Sequence, residues 1–366
     1  MMKQIVFNAL QTSLSGGIGR YSYELAKNIY KLNKVDLKIV IREEDKHLFR
    51  FAEKEDLVIA KGIDNSKSRN YYEQFKLPDL INELYPEAIV HYPDSMAPLF
   101  AKNKVVITVH DLAFKSLKNV FTLKTTLWKN LITDLSIKKA NKIITITNFV
   151  KDEILKYYNV DSNRISVVYN GFNNFSKDSI ELKNISNNIL KFSNKPYILT
   201  VSTISPRKNI DGLIKAFNLI KDKINCDLVV AGKNGWMYED IFKLVKDLNI
   251  ENRVTFTGGI NDDELKSLYK NANTFIYPSF YEGFGLPPLE AMSYGIPCIV
   301  SNADSLLEVV GDAAFSINPH VIEAISNGIV QVYSDSKLRE AIVNKGFERI
   351  EKFSWEMCAR IVATLY

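Results

Sequence analysis

Two carboxylates eight positions apart, Glu282 and Glu290, flank the run Gly283-Phe284-Gly285-Leu286-Pro287-Pro288. Glycines leading into paired prolines predict a loop that becomes the first turn of a helix, where proline's missing N–H is no loss. That helix is expected to end at Gly295, before Pro297. The amides of Phe284, Gly285 and Leu286 then converge on a helix N-terminus, where open N–H groups and the positive end of the dipole favour a diphosphate. Glu290 lies just inside the helix and Glu282 in the loop before it, so both can accept hydrogen bonds from sugar or ribose hydroxyls. Singly, each also has a plainer reading: Glu282 as a loop charge, Glu290 as a complement to the dipole.

Other chemistry is spaced along the chain. Arg207 and Lys208 follow Pro206 at the turn after the apolar run 197–201. Two cations there suit a diphosphate leaving group, whose charge grows as a glycosidic bond breaks; the plainer reading is a basic loop. His110-Asp111 follows the apolar run 105–109, at the carboxyl end where parallel sheets place their sites. His110 reads equally as a structural histidine, and Asp111 as a helix or turn cap. Gly16-Gly17-Ile18-Gly19 follows the first strand-like run, 3–9. Gly17 and Gly19 are followed by Arg20 and Tyr21 with no third glycine to complete GxGxxG, and no acid is well placed about 20 positions later. A nicotinamide-dinucleotide fold is therefore not supported.

The run EGFGLPPLEAMSYGIPCIVSN closely resembles the E-x7-E signature of retaining group 1 (family 4) glycosyltransferases, with Glu282 and Glu290 on its two glutamates. Further family-like segments follow in order: GGIGRY, VHDLAF at 109–114, NGF at 170–172, SPRKNIDGLIKAF at 205–217, FTGGINDDEL at 256–265 and SLLEVVGDAA at 305–314. The resemblance covers essentially the whole chain and is similar to bacterial mannosyl- and rhamnosyltransferases of surface polysaccharides. It implies that Glu282 contacts the transferred sugar and Glu290 the ribose, with Phe284, Gly285, Leu286 and Gly258 in the donor site. Gly17 would approach the donor diphosphate, and His110 would sit near the reacting sugar, with His91-Tyr92-Pro93 bordering the acceptor cleft. Lys208 matches the family lysine. Relatives place an arginine where this chain has Ser202, and Arg207 is the candidate to replace it. The implied reaction is front-side displacement with retention, using a nucleotide-diphosphate sugar as co-substrate and neither cofactor nor metal. Asp262-Asp263 reads as a helix start before Glu264 rather than a metal-binding pair.

Positioning these residues takes a repeated strand–loop–helix pattern. Strand-like runs at 3–9, 37–41, 57–60, 88–91, 105–109, 142–146 and 165–169 precede an Asn/Ser/Lys-rich stretch at 173–195 that reads as a linker. A second series follows at 197–201, 227–231, 253–257, 274–277 and 297–300, with helical segments at 209–221 and 238–248 and a final helical stretch at 336–365. This is the alternation of an α/β protein with parallel sheets. The expectation is the GT-B fold: two Rossmann-like doubly wound domains facing an interdomain cleft. Residues 1–180 would form the acceptor-binding domain and 181–348 the nucleotide-sugar domain, with 349–366 a helix crossing back to the first.

Length and composition agree with two globular domains: 366 residues, 46% apolar and 24% charged. Cys226, Cys298 and Cys358 are scattered, which suits a reducing compartment. No apolar run is long enough to span a bilayer and the start lacks a signal-peptide pattern, so the expected location is the cytoplasm. The net charge of +5 is uneven, with 28 Lys/Arg against 21 Asp/Glu in residues 1–185. Lys115, Lys118, Lys124, Lys129, Lys138, Lys139 and Lys142 face the single acid Asp134 and alternate with Phe114, Phe121, Leu127, Trp128 and Leu131. Such a stretch fits the inner face of an anionic membrane, and equally an ordinary solvated helix face. The expected partners are the donor and a glycan or lipid-linked acceptor, and no nucleic acid. A phosphorylase would need a lysine-anchored pyridoxal site and an epimerase acid/base carboxylates that the chain does not offer. A catalytically silent carbohydrate-binding protein is the alternative from another class.

Overall fold

The computed structural model describes residues 2–14, 17–117 and 123–366, with the side chains of 123–125, 182, 193 and 194 outside that description. Gly16, Lys118 and Phe121, and the side chain of Lys124, named above, lie outside the described residues. The chain forms two compact units: Met1–Gly171 together with Phe353–Tyr366, and Phe172–Lys352.

The first unit holds β1 (Gln4–Asn8), β2 (Asp36–Arg42), β3 (Leu57–Ala60), β4 (Ile89–Tyr92), β5 (Lys104–Val109), β6 (Lys142–Thr145) and β7 (Ile165–Val167). They run parallel in the order β3-β2-β1-β4-β5-β6-β7. Their apolar character follows from burial on both faces: every residue of β5 after Lys104 is buried. Side chains alternate between two clusters, Val6 entering one and its neighbours Ile5 and Phe7 the other. The helix Gly17–Leu32 presents Tyr21, Leu25, Ala26 and Ile29 to the second cluster at three- and four-residue spacing. The helix Trp355–Leu365 adds Trp355, Cys358, Ala359 and Val362 to the same cluster. Ser354 caps it, accepting from the Met357 amide at 3.1 Å. The backbone of Gly171 passes so close that a Cβ there would run into the Trp355 amide nitrogen.

The second unit holds β8 (Tyr197–Val201), β9 (Asp227–Ala231), β10 (Val254–Gly258), β11 (Thr274–Tyr277), β12 (Cys298–Ser301) and β13 (Phe315–Ile317), parallel in the order β10-β9-β8-β11-β12-β13. Its core runs from Ile198 and Leu213 through Val230 and Ile276 to Ile329. Both units are thus doubly wound α/β sheets, as the alternation of apolar runs predicts. All three cysteines are free and buried. Among the described residues no helix is long and apolar enough to cross a membrane.

Three local expectations change. The stretch 173–195 is not a bare linker. It folds into short turns on the helix Asp262–Asn271, with the Ser186 amide donating to Glu264 at 3.1 Å and Asn184 to Asp263 at 2.7 Å. That helix does start at Asp262, capped by Asn261 and Glu264 reciprocally. The final helical stretch is two helices, Ser336–Ile350 and Trp355–Leu365. The helix after Pro287-Pro288 ends at Ser293, two residues short of Gly295, which takes the left-handed φ of +67° that stops it.

Candidate active site

The helix Leu286–Ser293 begins with proline in its first turn, preceded by Gly285 at φ +96°. Only glycine adopts that turn readily, and a Cβ there would also run into Leu306 Cδ2. The turn aims the amides of the 284–286 segment along the helix axis. Glu282 precedes it by four residues and is buried, with 6% exposure, so it is no solvated loop charge. Ser305 Oγ holds its backbone, donating to the Glu282 carbonyl at 2.6 Å.

Arg207 and Lys208 close on this glutamate from the turn after β8. Arg207 Nη1 lies 3.1 Å from Glu282 Oε2 and donates also to the Tyr281 carbonyl at 3.2 Å. Lys208 Nζ contacts Glu282 Oε1 and donates to the Tyr277 hydroxyl at 2.6 Å. Burial alone would raise the Glu282 carboxyl, but the charges of Arg207 and Lys208 outweigh it and hold the group at about 2. The carboxylate is therefore ionised throughout the physiological range. The turn itself is fixed by Asn209, at φ +55°, whose Nδ2 donates to the Pro278 and Pro319 carbonyls at 3.2 and 2.8 Å. The Ser202 hydroxyl is buried without a hydrogen-bond partner among the described residues; Arg207 joins Lys208 on Glu282.

Glu290 is buried as well, with 5% exposure. Its Oε2 accepts from the Tyr269 hydroxyl at 3.0 Å. Burial, and then the charge of Glu290, raise the Tyr269 phenol well above its ordinary value, so it remains a donor. Gly258 ends β10 at φ +71°, its carbonyl accepting from the Gly232 amide at 3.2 Å, with open space where a Cβ would stand. Phe284 is buried. The second unit thus brings together Arg207, Lys208 and Glu282, and carries Phe284, Gly285, Leu286, Glu290 and Gly258 on the same unit.

Gly17 and His110 belong to the first unit. Gly17 opens the helix Gly17–Leu32, and a Cβ there would touch nothing within 4 Å. His110 follows β5; its Nε2 lies 2.9 Å from the Pro93 carbonyl, which can only accept, so Nε2 carries the proton. Burial lowers its pKa, against the pull of that carbonyl and of Asp94 and Asp111, so the ring is neutral and Nδ1 is its acceptor face. Tyr21 packs edge-on against it, ring centroids 4.6 Å apart. Asp111 caps the following turn, accepting from the Ala113 amide at 3.1 Å. His91 corrects the expectation of a cleft-bordering residue. It is fully buried, with Nδ1 2.7 Å from the Tyr366 hydroxyl and Nε2 2.9 Å from Thr108 Oγ1.

Three lysines of the basic stretch have partners within the unit. Lys139 donates to the Leu99 carbonyl at 2.6 Å, Lys142 to that of Asn163 at 3.2 Å, and Lys138 pairs with Asp134 at 2.8 Å. Leu127, Trp128 and Leu131 stand exposed on the helix Leu123–Lys139.

Models of the glycosyl transferases group 1 and of glycosyltransferase family 4 match residues 182–349 and 15–174 respectively. The chain is 30% identical over 373 aligned residues to O-antigen chain mannosyltransferase B of Escherichia coli, covering 96% of this chain and 95% of that one. It is 36% identical over 213 residues to the O-antigen chain mannosyltransferase RfbU of Salmonella typhimurium, covering 58% and 56%. Its fold is similar to that of Anabaena HepE, solved in complex with UDP and glucose, with a TM-score of 0.76 at 18% identity, covering 100% of this chain and 99% of that one.

Proposed function

The chain belongs to the group 1 glycosyltransferases, with their GT-B fold, and on that premise we propose that it transfers mannose from a nucleoside-diphosphate donor to a surface-polysaccharide glycan. The transfer retains the anomeric configuration and uses neither cofactor nor divalent ion. The observation that carries this reading is the buried cluster of Glu282 with Arg207 and Lys208, four residues before the helix N-terminus at Leu286. The two O-antigen mannosyltransferases support the choice of sugar.

As the bond to the diphosphate breaks, negative charge develops on the departing oxygens. Arg207, Lys208 and the amides of the 284–286 segment supply the compensating charge without reorganising. The ionised Glu282 accepts from a hydroxyl of the transferred sugar, and Glu290, held by Tyr269, accepts from the ribose. Gly17 and Gly258 let the backbone approach the donor, and His110 faces the reacting sugar. On the face the diphosphate leaves, the acceptor oxygen bonds to the anomeric carbon and its proton passes to the departing phosphate oxygen. We set the reaction at the cytoplasmic face of the membrane, a reading supported by the exposed Leu127, Trp128 and Leu131.

The test is calorimetry in EDTA with GDP-mannose, dTDP-rhamnose and UDP-glucose, on wild type and Glu290→Ala, followed by NMR of the glycoside product. One donor should bind, about tenfold more weakly to the variant, and yield a product of unchanged anomeric configuration. An inverted product or an absolute metal requirement would overturn the mechanism. Binding without turnover would return the chain to a silent sugar-nucleotide binder.

A further inference from the structure

A row of polar side chains crosses the apolar cluster beneath the helix Gly17–Leu32. The Tyr21 hydroxyl lies 3.1 Å from Thr108 Oγ1, Thr108 Oγ1 lies 2.9 Å from His91 Nε2, and His91 Nδ1 lies 2.7 Å from the Tyr366 hydroxyl. The row joins that helix, β5, β4 and the residue that follows the helix Trp355–Leu365. Tyr21, Thr108 and His91 have at most 1% of their surface exposed. Thr108 points to this side of the sheet because residues two apart share a face. Val106 enters the same cluster as Tyr21, while Val105, Ile107 and Val109 enter the other.

Packing alone does not call for such a row. Burying two phenols, a threonine and an imidazole costs free energy that only their mutual bonds offset, and phenylalanine and valine would fill the same space. What the bonds add is direction. Burial holds His91 neutral, at about 3, so one ring nitrogen donates, the other accepts, and the hydroxyls on either side must turn to suit. A phenol hydroxyl lies on the long axis of its ring, so the bond to Thr108 pins the axis of Tyr21. Trp355 meets the same ring with centroids 6.0 Å apart. Tyr21 is therefore held from both ends of the last helix, by Trp355 directly and by Tyr366 through the row.

The ring so held is the one that packs on His110, nearly perpendicular to it at 85°. The bond from His110 Nε2 to the Pro93 carbonyl lies close to the Cβ–Cγ axis about which an imidazole turns, so by itself it restrains the ring plane weakly. Nδ1, the acceptor face, lies off that axis and swings with any such turn. We propose that Tyr21 is the positioning residue of His110, fixing the imidazole plane so that Nδ1 keeps one direction, and that the row through Thr108 and His91 to Tyr366 makes the last helix the element on which this aim depends. A reacting group misplaced by about 1 Å loses on the order of 100-fold in rate, which is the scale of what such a restraint protects. The inference rests on the reading of His110 as facing the reacting sugar and adds what aims it.

The test is NMR of protein labelled with ring-¹³C histidine, whose 4 histidines are assigned by single His→Gln substitutions. Wild type, Tyr21→Phe, Thr108→Val and the double variant are compared, with thermal melts and with turnover of GDP-mannose in the presence of methyl α-mannoside. Wild type should give one sharp His110 signal of the Nε2–H tautomer. Both single variants leave the rings in place and cut the tie on Tyr21, so each should broaden or split that signal. Each should also lower kcat about tenfold while KM for GDP-mannose stays within about twofold. The double variant should be no worse than either single one, since both break the same tie. Tyr366→Phe, at the far end, should move the His110 signal the same way by less, and no movement would overturn the part given to the last helix. A row that only stabilises the core would lower the melts and leave the His110 signal and kcat as in wild type, which would overturn the positioning role. If His110→Ala turned over GDP-mannose as fast as wild type, the reading of His110 would fall, and the signal would still decide what holds its ring.

Discussion

Glu282 and Glu73 are buried to nearly the same depth, 6% and 8% exposed, one in each unit. Burial raises both carboxyls. At Glu282 the charges of Arg207 and Lys208 reverse that effect and hold it at about 2. At Glu73 the Asn8 hydrogen bond and the more distant Arg69 are too weak against burial, Asp94 adds to the push, and the group rises to about 7. Depth therefore does not decide the charge of a buried carboxylate; the number and distance of its cations do. The consequence is a difference in charge: one unit keeps a carboxylate ionised at any ordinary pH, the other a carboxyl that titrates near neutrality.

The largest way to break this contrast is Lys208→Met. It should slow transfer about 10³-fold and destabilise the fold by roughly 3 kcal/mol by leaving Glu282 under-compensated, read as kcat and as the urea midpoint. An unchanged midpoint would mean that Arg207 alone holds the charge.

Glu73→Gln sharpens it with an opposite sign. A folded pKa raised above the unfolded value contributes stability below about 4.5, which is lost as pH rises through about 7. Glutamine carries no such loss, so the variant should gain on wild type across that window, by on the order of 3 kcal/mol at most at pH 8, and match it near pH 4. Urea melts at the two pH values check this, with Arg69, Asp94 and Tyr92 as the charged and titratable neighbours that shape the curve.

His91 gives the smallest expected effect. Burial lowers it to about 3, so its share of stability is present above about 6.5 and lost as pH falls from there toward 3. His91→Gln should flatten the fall in melting temperature between pH 7 and pH 5, and an unchanged slope would assign the acid sensitivity elsewhere.

How legible each part was follows from what is local. The strands were, since a parallel strand covered on both faces is an apolar run, as in Tyr197–Val201. So was the start of the helix at Leu286, because glycine and proline act on their own backbone. Its stop is less legible, because the left-handed residue lies past the last helical one, not at it. Phe315–Ile317 carries no strand signal, because three residues are too few to show alternation. The spacing of Glu282 and Glu290 was readable, but their partners were not. Lys208 is 74 residues from Glu282, and Tyr269 is 21 from Glu290. The row of Tyr21, Thr108, His91 and Tyr366 carries a fainter signal, polar residues set within the apolar runs KVVITV and IVHY. Only the strand order shows that the two runs are neighbours.

The helix Trp355–Leu365 has a consequence for synthesis. Its side chains complete a cluster begun by Tyr21, Leu25 and Ile29, while all of the second unit is encoded in between. On the ribosome the second unit can condense as soon as its own residues emerge, but the first must wait until the helix Trp355–Leu365 has followed them. A transcript cut short before codon 355 would release a first unit with an open, greasy seam, a natural handle for chaperones and proteases.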